Sequence, residues 1–139
     1  MANVDVIRKE VSSAAVRLDD AEAILSRPPE EFLADDDSRD LASFYLFLAI
    51  QKCIDLAVHW IARAGWASPG DARGAFDLLA DKQAIDQDLA SGLGWAVALW
   101  QRIDREYWTV DHANLLSESQ EGIFNLRRFL AAVATEAGL

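Results

Sequence analysis

The stretch richest in side chains that can do chemistry is "ALWQRIDREYWTVDH", residues 98–112. It holds two tryptophans, a tyrosine, two arginines, three acids and a histidine. Arg102 and Arg105 are three residues apart and therefore share one face of a helix, where their guanidinium groups can bind a phosphate. Alternatively, they form ion pairs with Asp104, Glu106 or an acid of a second copy, which is at least as well supported.

Aromatic residues are concentrated in and beside this stretch: Trp95, Trp100, Tyr107 and Trp108. Such rings can stack on the bases of single-stranded nucleic acid. At helical spacing they more often serve as core residues or as anchors of a protein interface. The sequence favours the interface interpretation.

A second candidate is the pair Asp55 and His59, which are four residues apart and share a helical face. A carboxylate can orient an imidazole for acid–base work, but a satisfied polar pair in a groove or at a dimer seam is favoured. With two histidines, one cysteine and no paired spacing, neither a metal site nor a cofactor is expected. Phosphate-binding glycine loops, CxxC pairs and GxSxG elbows are absent, which argues against the common nucleotide-binding and hydrolase classes.

Composition narrows the class of protein further. The 139 residues are long enough for one domain, 1–139, and their net charge of −10 argues against a dedicated nucleic-acid binder and favours a basic protein partner. No apolar run approaches the roughly 20 residues that span a bilayer, and the polar start "MANVDVIRKE" predicts no signal peptide. The single Cys53 lies in an apolar run, so a buried thiol in a cytoplasmic protein is expected.

Apolar residues recur at helical spacing throughout, and no strand alternation is present. The pattern predicts an all-α bundle of about five main helices, with every one except the third forming the core. Their expected ranges are about 5–25 (with Asn3 as N-cap), 38–64, 71–81, 86–105 and 111–137, and a short extra helix follows Pro28 and Pro29.

The segment "FYLFLAIQKCIDLAVHWIARAGW", residues 44–66, resembles the central helix of the HepT-like branch of the HEPN superfamily. "EEFLADDDSRDLAS" before it and "GDARGAFDLLADKQAIDQDLASGL" after it also resemble the flanking segments of that family. The likeness covers nearly the whole chain. It implies an antiparallel helical bundle that forms a homodimer, with the motif helices around a shared cleft.

The family motif reads Arg-Asn, three residues, His, one residue, Tyr, and is associated with metal-independent RNA cleavage. The corresponding stretch here is "WQRIDREY". Trp100 and Gln101 stand at the arginine and asparagine, Arg105 stands at the histidine, and Tyr107 matches the tyrosine that a partner nucleotidyltransferase antitoxin modifies with AMP. Arginine stays protonated and is a poor general base, and losing an acid–base group typically costs about 10²–10⁴-fold in rate. A substitute pairing of Arg105 with His112 is disfavoured, because residues 109–111 predict a helix break that places His112 on the next helix.

The resemblance implies a HepT-like toxin that keeps Tyr107 as the modification site, with ribonuclease activity lost or reduced. The expected catalytic residues, at the motif-region positions, are Gln101, Arg102 and Arg105, and Trp100, Asp55 and His59 are expected in the cleft or interface. Its expected partners are a second copy, an MNT-type nucleotidyltransferase antitoxin and, as a further candidate, RNA. The alternative is a non-catalytic helical binding partner of such a nucleotidyltransferase.

Overall fold

The computed structural model describes residues 4–139, and all regular structure within that range is helical. Six α-helices follow one another along the chain: α1 (Val4–Leu25), α2 (Pro29–Ala34), α3 (Asp36–Ala64), α4 (Ala72–Asp81), α5 (Gln87–Glu106) and α6 (His112–Glu136). A short 3-10 turn, Tyr107–Thr109, separates α5 from α6. The predicted all-α bundle is therefore confirmed, and the helix ranges agree within two residues. The predicted cap Asn3 lies outside the described residues.

Local chemistry explains where these helices begin and end. The side chain of Asp35 accepts a hydrogen bond from the Asp37 amide at the start of α3, and Asp71 accepts one from Gly74 at the start of α4. Gly65 ends α3 in the left-handed conformation with φ 77°, which a residue without a Cβ adopts at little cost.

Helix α3 lies at the centre and packs against every other α-helix of the bundle. Its buried side chains include Leu46, Ile50, Cys53 and Ile61, which are at most 1% exposed. The expectation that the third main helix stays outside the core is wrong, because α4 is amphipathic and its apolar face is buried. That face consists of Ala75, Phe76 and Leu79.

By length and composition alone, α3 is long and apolar enough to cross a membrane. Half of its most apolar window is buried inside the bundle. The same apolar character is required of a helix that is surrounded by neighbours on most faces. Its position as the core helix therefore accounts for its composition.

Helices α5 and α6 approach closely at two glycines. A Cβ at Gly122 of α6 would collide with the ring of Trp95, and one at Gly92 of α5 would collide with the side chain of Asn125. Small residues let helix backbones come close, so these contacts set how α6 lies against α5. The first turn of α6 is thereby held beside the end of α5.

Candidate functional site

The site is built around the connection between α5 and α6. Helix α5 stops at Glu106, whose backbone leaves the helical region at φ −144°, and the Thr109 hydroxyl donates to the Glu106 carbonyl at 2.7 Å. Asp111 then caps α6 by accepting from the amides of Ala113 and Asn114, each at 3.1 Å. The predicted break is confirmed, and His112 becomes the first residue of α6.

The half-buried Tyr107 ring turns from this connection towards the first turns of α3. Its hydroxyl donates a hydrogen bond to the carboxylate of Asp40. Nε2 of His112 lies 3.3 Å from the Tyr107 hydroxyl oxygen and 3.4 Å from Oγ of the buried Ser43. The two rings meet edge to face with centroids 5.8 Å apart. We call Asp40, Ser43, Tyr107 and His112 the phenol cluster.

The environment shifts both titratable rings of the phenol cluster. Burial and the hydrogen bond to Asp40 raise the pKa of Tyr107, and the hydrogen bond from Ser43 and the charge of Arg39 oppose that rise. Burial lowers the pKa of His112, as does the positive charge of Arg39. At neutral pH the cluster therefore combines a protonated phenol with an uncharged imidazole.

The three motif-region positions lie elsewhere. Gln101, Arg102 and Arg105 are exposed and line an open groove of about 280 Å³ along the outer face of α5. Arg102 donates to the Thr109 hydroxyl at 3.3 Å. Within residues 4–139, neither arginine forms an ion pair with Asp104 or Glu106. Arg105 therefore keeps its charge available to an outside anion.

Trp100 is directed at α3 rather than at this groove. Its ring stacks on Phe47 with centroids 6.3 Å apart, and its Nε1 donates to Oε1 of Gln51 at 3.0 Å. The amide of Gln51 in turn donates to Asp55 at 3.0 Å. Two of the expected cleft residues, Trp100 and Asp55, are thus linked through one glutamine.

Asp55 and His59 do share a face of α3, where both line a shallow pocket of about 220 Å³ against α1. No hydrogen bond joins the two within residues 4–139, since Asp55 is bonded to Gln51 instead. Fifteen residues separate Asp55 from Asp40 on α3, which is about 22 Å along a helix axis. The structure therefore does not bring the Asp55 and His59 pair to Tyr107.

The structure also identifies site residues that the sequence did not single out. Asp40 and Ser43 are three residues apart on α3, a spacing that indicates a shared face but no particular chemistry. The sequence indicates His112 only as a partner of Arg105, whereas its ring contacts Tyr107. Within the described part of the chain, no group of three metal-binding side chains is present.

Comparison with known proteins adds to this geometry. The family model described as ribonuclease HepT-like matches residues 15–133. No curated protein matches significantly.

Solved structures match over almost the full chain. A toxin–antitoxin complex with AMP-PNP has a TM-score of 0.87 at 19% identity, covering 94% of this chain and 98% of the other. The tri-AMPylated HEPN toxin of Shewanella oneidensis, in complex with its MNT antitoxin, has a TM-score of 0.84 at 19% identity, with coverages of 97% and 99%. YutE of Bacillus subtilis, a cytosolic protein of unknown function, has 0.80 at 15%, with coverages of 97% and 90%.

At these identities the solved structures establish the fold. The family model spans most of the residues that build the site, including α3, α5 and the first turn of α6 with His112. The chain belongs to the ribonuclease HepT-like family.

Proposed function

We propose that this chain is the toxin component of a two-gene toxin–antitoxin pair, and that Tyr107 receives AMP from an MNT-type nucleotidyltransferase antitoxin. The observation that carries the proposal is the Tyr107 hydroxyl, held by Asp40 and His112 just past the end of α5. The adjoining Trp108 is 81% exposed, as suits a residue that meets a partner. A similar structure is an AMPylated toxin bound to its MNT antitoxin, which supports the same chemistry here.

Ribonuclease activity is lost or reduced in this proposal. Arg105 occupies the position of the motif histidine, and an arginine neither accepts nor releases protons near neutral pH. Trp100 occupies the position of the motif arginine and its ring packs against Phe47. If RNA still binds, Gln101, Arg102 and Arg105 are the residues whose exposed groove offers it a positive surface.

A homodimer is the assembly we expect. Helix α3 exposes two apolar side chains three residues apart, Leu41 and Phe44, at 44% and 52%, and further along it Val58 is 43% exposed. Exposed apolar surface of this kind is characteristic of protein–protein interfaces. Light scattering should give a dimer mass for the wild type and a monomer for Phe44→Asp. Phe124→Asp is the control, because Phe124 is 60% exposed on α6. An unchanged mass for Phe44→Asp would contradict this interface.

The modification itself is tested by co-expressing the chain with a small MNT-type nucleotidyltransferase. We expect both proteins to act in the cytoplasm. Intact-mass measurement and peptide mapping should place one or more added AMP groups on the chain, with Tyr107 among the sites. Tyr107→Phe should lose that site, and Tyr45→Phe, in the other tyrosine of the chain, should retain it. An active transferase that leaves Tyr107 unmodified would refute the proposal.

A non-catalytic binding partner of the transferase is the second candidate, favoured only by the altered motif. The double variant Trp100→Arg, Arg105→His distinguishes the toxin from the non-catalytic binding partner. If the variant remains helical and dimeric and stops growth or degrades RNA, the cleft is that of a toxin. If it folds and is inert, the binding-partner function is supported instead.

A further inference from the structure

Three side chains surround the phenol oxygen of Tyr107. Its one proton is donated to Asp40, and Ser43 lies close enough to lower the pKa of the phenol. His112 Nε2 lies on a third side at 3.3 Å. These three side chains come from α3 and α6. The groups around the hydroxyl are therefore brought there by the packing of the helices, and none of them belongs to α5, the helix that carries the motif.

Such surroundings suit a hydroxyl that must act as a nucleophile. A neutral phenol reacts poorly with phosphorus and needs a group that accepts its proton as the bond forms. Asp40 is already the acceptor of that hydrogen bond. Asp40 is exposed, so its carboxylate can pass the proton on to water.

We propose that Asp40 is the general base for nucleotidyl transfer to Tyr107. This rests on the proposed function, in which a transferase presents a nucleoside triphosphate. The phenol oxygen forms a bond to the α-phosphorus, and the bond from that phosphorus to the bridging oxygen breaks. Pyrophosphate leaves with the electron pair, and the phenolic proton moves to the Asp40 carboxylate. His112, whose Nε2 lies 3.3 Å from the phenol oxygen, orients it for this attack.

A carboxylate repels an incoming phosphate, and Arg39 supplies a positive charge that opposes this repulsion. Its positive charge acts on both Tyr107 and His112. It is held in place because its guanidinium donates to the Leu33 carbonyl and to Asp36. A positive charge therefore acts at the Tyr107 hydroxyl, where it stabilises developing phenolate.

The experiment measures initial rates of AMP attachment with purified chain, the MNT-type transferase, ATP and Mg²⁺, using intact-mass detection. Asp40→Asn keeps the shape but cannot accept the proton, so the rate should fall about 10²–10⁴-fold. Asp104→Asn removes the same charge from the exposed face of α5 and should react at the wild-type rate. Formate should partly restore the rate of Asp40→Ala, since it supplies a diffusible carboxylate.

A second measurement does not depend on the transferase. In ¹³C-tyrosine NMR titrations, Asp40→Asn should lower the pKa of Tyr107 relative to wild type, because an accepting negative charge is lost. If this pKa falls and Asp40→Asn still reacts at the wild-type rate, the base lies on the transferase and the proposal is overturned. An unchanged pKa overturns it too, since the hydrogen bond would then be absent. If wild-type Tyr107 is itself not modified, the proposed function fails and the role of Asp40 fails with it.

Discussion

Tyr107 and Asp40 are joined by a hydrogen bond across 67 positions of the sequence. The bond ties the connection between α5 and α6 to the first turns of α3. The bond therefore orients the phenol. It also holds α3, α5 and α6 together at one end of the bundle. A residue that is unremarkable on α3 thereby becomes part of the site.

The phenol cluster makes stability depend on pH through His112. Its folded pKa lies below the ordinary value of 6.5, because of burial and the charge of Arg39, with Asp40 and Asp111 opposing. The unfolded chain therefore binds the proton more readily than the folded chain does. The stability that comes from the uncharged His112 is complete above pH 6.5 and is lost as the pH falls through the folded pKa.

Urea unfolding at about pH 8 and about pH 5 checks this dependence. Wild type should lose more free energy of unfolding between these conditions than His112→Gln does. His59→Gln, at an exposed position on α3, serves as the control and should follow wild type. Equal losses in wild type and His112→Gln would contradict the proposed burial of an uncharged imidazole.

Trp100 and Trp108 should differ sharply in their contribution to stability. Trp100→Ala removes the stack on Phe47 and the hydrogen bond to Gln51, and should cost about 1–3 kcal/mol in free energy of unfolding. Trp108→Ala changes a side chain that is 81% exposed and should stay within about 0.5 kcal/mol. Denaturant titration of both variants measures the difference, and similar costs would argue against the packing described for Trp100.

A matched pair of phenylalanines tests the core at α6. Phe129 is fully buried, with its ring edge-on to Phe76 at 5.1 Å between centroids, so Phe129→Ala should cost about 3–5 kcal/mol. Phe124 is 60% exposed on the same helix, and Phe124→Ala should cost well under about 1 kcal/mol. Thermal and urea unfolding measure both. A small effect of Phe129→Ala would mean that the Phe129 ring is not packed against Phe76 as found.

The thiol of Cys53 should be inert in the folded protein. Burial raises its pKa to about 12, and the thiolate is the form that reacts. A disulfide reagent should label wild type slowly in buffer and rapidly in strong denaturant. Rapid labelling under native conditions would show that the α3 core opens readily.

Local patterns in the sequence were sufficient for the helices. Asp111 caps α6 wherever α6 lies, and Pro28 with Pro29 ends α1 in any fold, because capping and proline geometry act between near neighbours. The likeness of residues 44–66 and the position of Tyr107 in the motif stretch likewise needed no coordinates. These features predicted the fold and singled out Tyr107 as the proposed modification site.

Only the tertiary structure decided which side chains meet. Gln101, Arg102 and Arg105 follow one another on α5, yet their groove does not contain the Tyr107 hydroxyl. Asp40 comes from α3 and His112 from the first turn of α6, and they reach that hydroxyl because of how the helices cross. Helical spacing indicates which residues share a face of one helix, whereas the partner of that face depends on packing throughout the core.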